Sequence, residues 1–235
     1  MITGHAHSET SPQETVERVA VAAGAGVDMV QIRARHLEAA ALAALVEQSV
    51  RAVRGTRTRI VVNDRLDVAL AAGAHGLHLR GDSLPAGRVR TLRPREFLVG
   101  RSVHDIAAAA EVTSGGGLDY LVFGTVFRTA SKAGREPAGI AALADVVAVT
   151  PLPVLAVGGV GLDQLRAVAA AGAAGFAAIS LFADPTLERL PEIVRTARAA
   201  FNLARNAGSA LTGGSGPPAP RSFGPPTLGS FGEAG

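Results

Sequence analysis

Cysteine and tryptophan are both absent from the 235 residues of the chain. The absence of cysteine excludes disulfide bonds, thiolate zinc ligands and a cysteine nucleophile. No hydrophobic run approaches the ~20 residues that a membrane-spanning helix needs, and no signal-peptide pattern opens the chain. We therefore predict a cytoplasmic protein that has no membrane partner.

Aromatic and charged residues are also scarce, at 4% and 18% of the chain. The net charge is only +3, and the pI is near 10.4 because 22 of the 23 cationic residues are arginine. No run of five or six like charges occurs, so the sequence predicts no nucleic-acid partner. The single lysine, Lys132, is the exception. An ammonium differs from a guanidinium in shape and hydration, but composition alone leaves both a specific role and chance open.

The composition divides the chain into a folded domain over residues 1–205 and a C-terminal tail over residues 206–235. The tail is rich in glycine, proline and serine and has no hydrophobic periodicity, so we expect it to be disordered. Within the domain, alanine-rich helical segments repeatedly end at glycine and lead into short apolar strands. Helices are predicted over residues 12–23, 37–54, 64–72, 86–92, 105–113, 138–149, 162–171 and 187–204.

Seven near-continuous apolar strands alternate with these helices, a pattern typical of parallel strands that are buried on both faces. A Rossmann-like sheet would carry a G-x-G-x-x-G motif between its first strand and first helix, and no such motif lies there. Eight βα units in about 205 residues instead fit an α/β fold, the TIM (β/α)8 barrel. The first strand is represented only by the stub Met1–Thr3, so we expect it to be truncated.

Polar residues gather at the carboxyl ends of the predicted strands. In a TIM barrel these ends converge on one mouth, where the chemistry takes place. The set contains cations, an amide and carboxylates, which indicates an anionic ligand that is accompanied by a metal ion. Its members are Gln31, Arg33, Arg35, Asn63, Asp64, His78, Arg80, Asp82, Arg101, Ser102 and Ser180.

Two segments of the predicted mouth favour phosphate binding. Gly158–Gly161 and Ile179–Ser180 follow the last two strands, where TIM barrels often hold phosphate through backbone N–H groups; the alternative is a plain βα turn. Gln31, Arg33 and Arg35 alternate along a strand, which would direct all three to one side. They either bind a ligand or form a polar layer inside the barrel with Asp64.

The Asn63–Asp64 pair supplies the oxygen ligands that Mg²⁺ prefers, although Asp64 could equally be the N-cap of the next helix. The segment Thr129–Lys132 supplies two hydroxyl groups and an ammonium, as expected of a loop that closes over phosphate; an ordinary exposed loop is the alternative. His104 is the one histidine that we would test as an acid or base, against a capping or packing role. No histidine spacing supports a zinc site.

Taken together, six sequence segments resemble the thiamine phosphate synthase/TenI family. In family order they are V-Q-I-R-A-R, V-V-N-D-R-L-D-V-A-L-A-A-G-A-H-G-L-H-L, V-G-R-S-V-H, D-Y-L-V-F-G-T-V-F-R-T-A-S-K, P-V-L-A-V-G-G-V and G-A-A-G-F-A-A-I-S. The resemblance covers about residues 15–185. It implies a TIM barrel, in agreement with the prediction from hydrophobic periodicity.

One branch of this family, thiamine phosphate synthase, joins hydroxymethylpyrimidine diphosphate to a thiazole phosphate. The resemblance implies that pyrophosphate leaves, assisted by Mg²⁺, and that the thiazole nitrogen captures the resulting pyrimidine-methyl cation. It assigns catalytic roles to Arg33 and Lys132. The pyrimidine would contact Gln31 and Ser102; pyrophosphate would contact Arg33, Arg35, Asn63 and Lys132; the metal would be bound by Asp64; and the thiazole phosphate would contact Thr129, Ser131, Gly159, Ile179 and Ser180.

The second branch resembles TenI, a thiazole tautomerase, but its characteristic histidine is Thr125 in this chain. The synthase motif G-Q-x-D reads Arg80-Gly81-Asp82-Ser83 here, so a second metal carboxylate would be Asp82, displaced by one position. Arg35 replaces the usual lysine. We predict a synthase-like transferase with small phosphorylated substrates. A tautomerase and a non-catalytic thiazole phosphate binder are the alternatives, and homo-oligomerisation is left open.

Overall fold

The computed structural model describes residues 1–4, 10–92, 96–129, 134 and 136–211. In chain order its strands and helices are α1 (Pro12–Gly24), β1 (Met29–Ile32), α2 (Ala39–Ala52), β2 (Arg59–Asn63), α3 (Leu66–Ala71), β3 (Gly76–Leu79), α4 (Ala86–Leu92), β4 (Leu98–Val103), α5 (Ile106–Ser114), β5 (Tyr120–Phe123), α6 (Gly139–Ala148), β6 (Val154–Val157), α7 (Leu165–Ala170), β7 (Gly175–Ala177), α8 (Ser180–Ala183) and α9 (Leu190–Leu211). A short 3₁₀ helix, Leu162–Gln164, precedes α7.

The seven strands form one parallel sheet in sequential order, β1 to β7. The segment Met1–Thr3 contacts both edges of this sheet. Ile2 donates a backbone hydrogen bond to Ala178 just beyond β7, and Thr3 donates one to Gln31 on β1, at 3.0 and 2.9 Å. The predicted stub is therefore an eighth, very short member that joins the two edges, and the predicted TIM barrel is confirmed.

The hydrophobic core explains why the strands read as continuous apolar runs. Every residue of β3 and β5 is buried, because helices cover one face of the sheet and the barrel interior covers the other. The helices present small and branched residues to this sheet; Val46 and Val168, for example, are fully buried. No helix in the described part of the chain is long and apolar enough to cross a membrane.

Two element boundaries and one additional helix are the main differences from the prediction, and the other predicted helix ends differ from those observed by no more than three residues. β1 ends at Ile32, so Arg33 and Arg35 lie in the loop after it rather than along the strand. The four-residue helix α8 was not predicted, since a single turn is too short to show periodicity. Helix α9 continues to Leu211, past the predicted domain boundary at residue 205. The rest of the predicted disordered tail lies outside the described residues.

Two local features set the geometry at the carboxyl end of the sheet. Gly100 on β4 pairs in register with His78 on one side and Tyr120 on the other. A Cβ atom at position 100 would overlap the Tyr120 ring, so glycine is what lets that ring lie inside the barrel. Helix α5 starts beside the mouth because Asp105 caps it, accepting a hydrogen bond from the Ala108 N–H at 2.8 Å.

Candidate active site

Asp64 follows β2 in a left-handed backbone conformation, with φ 58°. Its N–H donates to the carbonyl oxygen of His78 at 2.9 Å, so the chain continues the pairing with β3 for one more residue. A non-glycine residue in this region costs about 1–2 kcal/mol, a strain that is common at functional sites. The alternative of Asp64 as N-cap is wrong: α3 starts at Leu66, its N-cap is Arg65, and no side chain caps it.

The Asp64 carboxylate is bound by residues from the loop after β3. The Ser83 hydroxyl donates to Asp64 Oδ1, and the Arg80 guanidinium lies 3.6 Å from Asp64 Oδ2. The same guanidinium donates to both oxygens of Asp82, from Nε at 2.9 Å and from Nη2. Arg80 therefore contacts both carboxylates that were predicted to bind the metal. It lowers the pKa of Asp82, and the hydrogen bonds and the two carboxylates raise the pKa of Arg80.

The Arg101 side chain, from β4, binds the backbone of this loop. Its side chain is buried, and its Nη1 donates to the carbonyl oxygens of Gly81 and Arg80 at 2.9 and 3.1 Å. Its Nη2 donates to Ser83 at 3.3 Å and to Leu84. Burial lowers the pKa of Arg101, partly offset by Asp64 and Asp82. One guanidinium thus binds the carbonyl groups of four residues in this loop, and it fixes the backbone that carries Arg80 and Ser83.

The ends of β1 and β2 bring the predicted amide pair into contact. Gln31 is buried, and its Nε2 donates to Asn63 Oδ1 at 2.9 Å. This pair corresponds in part to the polar layer that was the alternative interpretation, but its partner is Asn63 rather than Asp64. The contact uses the Asn63 oxygen as acceptor, so the two donors of the Asn63 NH₂ group take no part in it.

Arg33 and Arg35 form the cationic part of the loop after β1. The Arg33 backbone N–H donates to the Thr3 hydroxyl at 2.9 Å, which ties the loop to the N-terminal segment. Desolvation and then the neighbouring Arg35 lower the pKa of Arg33. Within residues 1–4, 10–92 and the other described ranges, neither guanidinium forms an ion pair. Two adjacent cations without a carboxylate partner attract an anion.

His78, Ser102 and Tyr120 form a buried hydrogen-bonded row at the same end of the barrel. His78 Nε2 lies 2.8 Å from Ser102 Oγ, and its Nδ1 lies 3.2 Å from the Tyr120 hydroxyl. Burial lowers the pKa of His78 to about 4 and raises the pKa of Tyr120. The imidazole is therefore neutral at pH 7, and it fixes the position of the Ser102 hydroxyl.

The predicted thiazole phosphate residues lie around the loops after β5, β6 and β7. Gly159 has φ +65°, and a Cβ atom there would overlap the Arg128 carbonyl oxygen, so this turn packs directly against the loop after β5. Phe127 N–H donates to the Gly158 oxygen at 2.9 Å in the same contact. Gly159 and Ser180 are exposed, and Thr129 and Ile179 are half-buried. Ser131 and Lys132 lie outside the described residues.

His104 forms a hydrogen bond between two loops of the mouth. Its Nδ1 donates to the backbone oxygen of Gly124, just after β5. The contact links the loops after β4 and β5 and does not involve Nε2, so the choice between an acid or base and a packing role stays as the sequence left it.

A magnesium ion fits this site through one carboxylate. Mg²⁺ commonly takes one or two carboxylates and completes its octahedral shell with phosphate oxygens and water. Asp64 supplies such a carboxylate at the mouth. No group of three or more His, Asp or Glu side chains that could hold a metal ion occurs among the residues that the structure describes. Asp82 is largely exposed and its carboxylate is paired with Arg80.

Several residues of the site were not identified as functional from the sequence. Arg80, His78 and Arg101 were counted among the polar residues of the mouth, but no individual role was predicted for them or for Tyr120, and Ser83 was noted only as a departure from a motif. Their contacts join strands that are far apart in sequence. The available signal was that Tyr120 is the only tyrosine and stands opposite Gly100.

The barrel and its cationic, carboxylate-containing mouth define a TIM-barrel protein whose mouth is suited to an anionic ligand. Comparisons with known proteins give the particular family. A family model described as thiamine monophosphate synthase matches residues 1–182. The thiamine-phosphate synthase of Methanoculleus marisnigri is 39% identical over 161 residues, 68% of this chain and 76% of its own. That of Anaeromyxobacter dehalogenans is 39% identical over 176 residues, 73% and 78% of the two chains.

A solved structure gives the same assignment. Thiamine phosphate pyrophosphorylase from Pyrococcus furiosus superposes with a TM-score of 0.73 at 26% identity, covering 86% of this chain and 94% of that one. 3-Hexulose-6-phosphate synthase superposes with a TM-score of 0.64 at 18% identity, a likeness of fold alone. The chain belongs to the thiamine monophosphate synthase family.

Proposed function

We propose that this protein is a thiamine-biosynthesis transferase that couples hydroxymethylpyrimidine diphosphate to thiazole phosphate and releases pyrophosphate. The observation that best supports this proposal concerns the ends of β1 and β2. The family motifs lie there, and they place Gln31, Arg33, Asn63 and Asp64 on one rim of the barrel. Curated relatives with this activity support the reaction class. The cytoplasmic location and homo-oligomerisation stay predictions.

The diphosphate is assigned to the cationic rim. Arg33 and Arg35 face no carboxylate partner in the described ranges, so a diphosphate neutralises charges that otherwise repel each other. Asn63 donates its amide, and Lys132 adds an ammonium from the loop after β5. Negative charge increases on the pyrophosphate as it leaves, so donors aimed at it accelerate the reaction. Arg33 and Lys132 are therefore the proposed catalytic residues.

The pyrimidine is assigned to the buried polar groups beside this rim. Gln31 is oriented by Asn63 and Ser102 is oriented by His78, so both are held before the substrate arrives. We assign the Tyr120 hydroxyl as the donor to His78 Nδ1, which corresponds to the tautomer with its proton on Nε2. The His78 Nε2–H then donates to Ser102, which leaves the serine proton available to a ring nitrogen of the substrate.

The thiazole phosphate is assigned to the opposite rim, at Thr129, Gly159, Ile179 and Ser180, and by resemblance to Ser131, which lies outside the described residues. Exposed backbone at Gly159 and an exposed hydroxyl at Ser180 suit phosphate oxygens. This placement would bring the thiazole nitrogen toward the methylene carbon of the pyrimidine, across the mouth. Mg²⁺, held by Asp64, would neutralise charge on the diphosphate oxygens when bound.

The proposal is tested by supplying both substrates and Mg²⁺ to the purified protein and measuring pyrophosphate. We expect pyrophosphate release by the unaltered protein and none by Asp64→Ala or Lys132→Ala. Arg51→Ala is the matched control, because this exposed arginine near the end of α2 pairs with Glu47, and we expect it to retain full activity. Conversion of the thiazole tautomer without pyrophosphate release would indicate a tautomerase. Binding of thiazole phosphate with neither reaction would indicate a binding protein.

A further inference from the structure

Arg80 occupies the space between the two carboxylates of the mouth. Its guanidinium lies 3.6 Å from Asp64 Oδ2 and donates to Asp82 Oδ1 at 2.9 Å. The Ser83 hydroxyl donates to the other Asp64 oxygen. Both oxygens of the proposed metal ligand thus already face positive charge or a hydrogen-bond donor from the protein itself.

The loop does not need the Arg80 side chain to keep its shape. Arg101 binds the carbonyl groups of residues 80, 81, 83 and 84, and the Arg80 backbone N–H donates to Ser83 Oγ at 3.0 Å. The Arg80 and Asp82 side chains are 46% and 69% exposed, and ion pairs this exposed add little to stability. The guanidinium is therefore free to leave the carboxylates without loss of the fold.

We propose that Arg80 is an internal counter-ion that competes with the divalent cation for Asp64 in the ligand-free protein and turns to the diphosphate when that ligand binds. A guanidinium and a divalent cation repel each other, so Arg80 beside the Asp64 carboxylate weakens the binding of a cation to the same carboxylate. A diphosphate offers Arg80 a bidentate partner with more charge than a carboxylate. The metal ion and the diphosphate consequently bind together rather than one after the other. In that bound state Arg80 becomes a third guanidinium on the rim, beside Arg33 and Arg35.

The competition with the metal stands on the geometry around Asp64, whereas the turn to the diphosphate rests on the proposed function. The first experiment therefore uses no phosphate ligand. Mn²⁺ is titrated into the full chain and free Mn²⁺ is measured by electron paramagnetic resonance, for the unaltered protein, Arg80→Ala and Arg51→Ala. Arg51 is the matched control because it is an exposed arginine that pairs with a carboxylate far from the mouth.

We expect Arg80→Ala to bind Mn²⁺ with a Kd about tenfold lower than the unaltered protein, and Arg51→Ala to match the unaltered protein. Adding Asp64→Asn to Arg80→Ala should remove the gain. Equal Kd values for the unaltered protein and Arg80→Ala would overturn the competition, and so would a gain that survives Asp64→Asn. Arg80→Gln keeps the side-chain length without the charge, and it replaces Arg80→Ala if the smaller residue unfolds the protein.

The second experiment measures binding of inorganic pyrophosphate by calorimetry, with metal removed by chelation. Arg80→Ala should bind pyrophosphate about fivefold more weakly than the unaltered protein, because one guanidinium of the rim is lost. Equal pyrophosphate affinities of the unaltered protein and Arg80→Ala would refute the proposal that Arg80 moves to the diphosphate. If the unaltered protein binds no pyrophosphate without metal, the titration is repeated with saturating Mg²⁺. No binding there either would overturn the proposed function together with this second half, while the Mn²⁺ comparison still decides the competition.

Discussion

Protonation of His78 should destabilise the fold, and the loss can be calculated from its surroundings. The side chain is 2% exposed and lies between the Tyr120 hydroxyl and the Ser102 hydroxyl. Burial lowers its pKa from 6.5 to about 4, although Asp64 acts in the opposite direction. The folded protein therefore resists a proton that the unfolded chain accepts.

The sign and size of the effect follow from linkage. Above pH 6.5 His78 is neutral in both the folded and the unfolded state, so its titration does not change the free energy of unfolding. As the pH falls from 6.5 toward 4 the unfolded state binds the proton first, so the free energy of unfolding decreases. The full difference amounts to about 3 kcal/mol, of which about 2 kcal/mol is reached by pH 5.

The measurement is urea unfolding of the unaltered protein and of His78→Asn at pH 7.5 and pH 5. Asparagine retains a polar group at the site but does not titrate in this range. We expect the unaltered protein to lose about 2 kcal/mol more than the variant between the two pH values. The other titrating groups, including His75, are present in both proteins and cancel in the comparison. Equal losses would refute the conclusion that His78 is held neutral by burial.

Three substitutions test other parts of the site. Arg101→Met should destabilise the protein by about 2 kcal/mol and raise KM for the diphosphate substrate, because four carbonyl groups of the loop after β3 lose their shared donor; urea unfolding and steady-state kinetics measure the two effects. Gly159→Ala should raise KM for thiazole phosphate about tenfold, since φ +65° is strained for alanine and its Cβ overlaps Arg128; KM for the diphosphate is the internal control. Gly100→Ala should lower stability by about 1–3 kcal/mol, because the new methyl group overlaps the Tyr120 ring.

Each of these expectations has a contrary result. Unchanged kinetics in Arg101→Met would mean that the loop does not depend on its tether. An equal rise in both KM values for Gly159→Ala would mean that this turn shapes the whole mouth rather than one phosphate site. A stable Gly100→Ala variant would mean that the Tyr120 ring has room to move.

The order of strands and helices could be predicted because each element depends mainly on residues that are close together in the sequence. Apolar runs bounded by glycine produce strands such as β3, and the match of helix α4 to its predicted bounds, residues 86–92, rests on the same periodicity. The exact end of β1 could not be predicted, since Arg33 leaves the strand by donating to Thr3, thirty residues away. Helix α8 is too short to leave a periodic signal.

The position of Asp64 and Arg33 at the mouth could be predicted because each follows the end of a strand, and their roles stay predictions. Contacts between residues that are distant in sequence could not be predicted. Arg80 was expected at the mouth, but its contact with Asp64 follows from the pairing of β2 with β3. His78 likewise gains its meaning only when Tyr120 and Ser102 arrive from two later strands.

The central claim is that one mouth, at the carboxyl ends of the strands, binds the diphosphate. A crystal structure of the protein soaked with pyrophosphate and Mg²⁺ tests it directly. The account predicts pyrophosphate in contact with Arg33 and Lys132, with the metal ion on Asp64. Pyrophosphate bound away from the ends of β1 and β2, with Arg33 and Asp64 untouched, would contradict it.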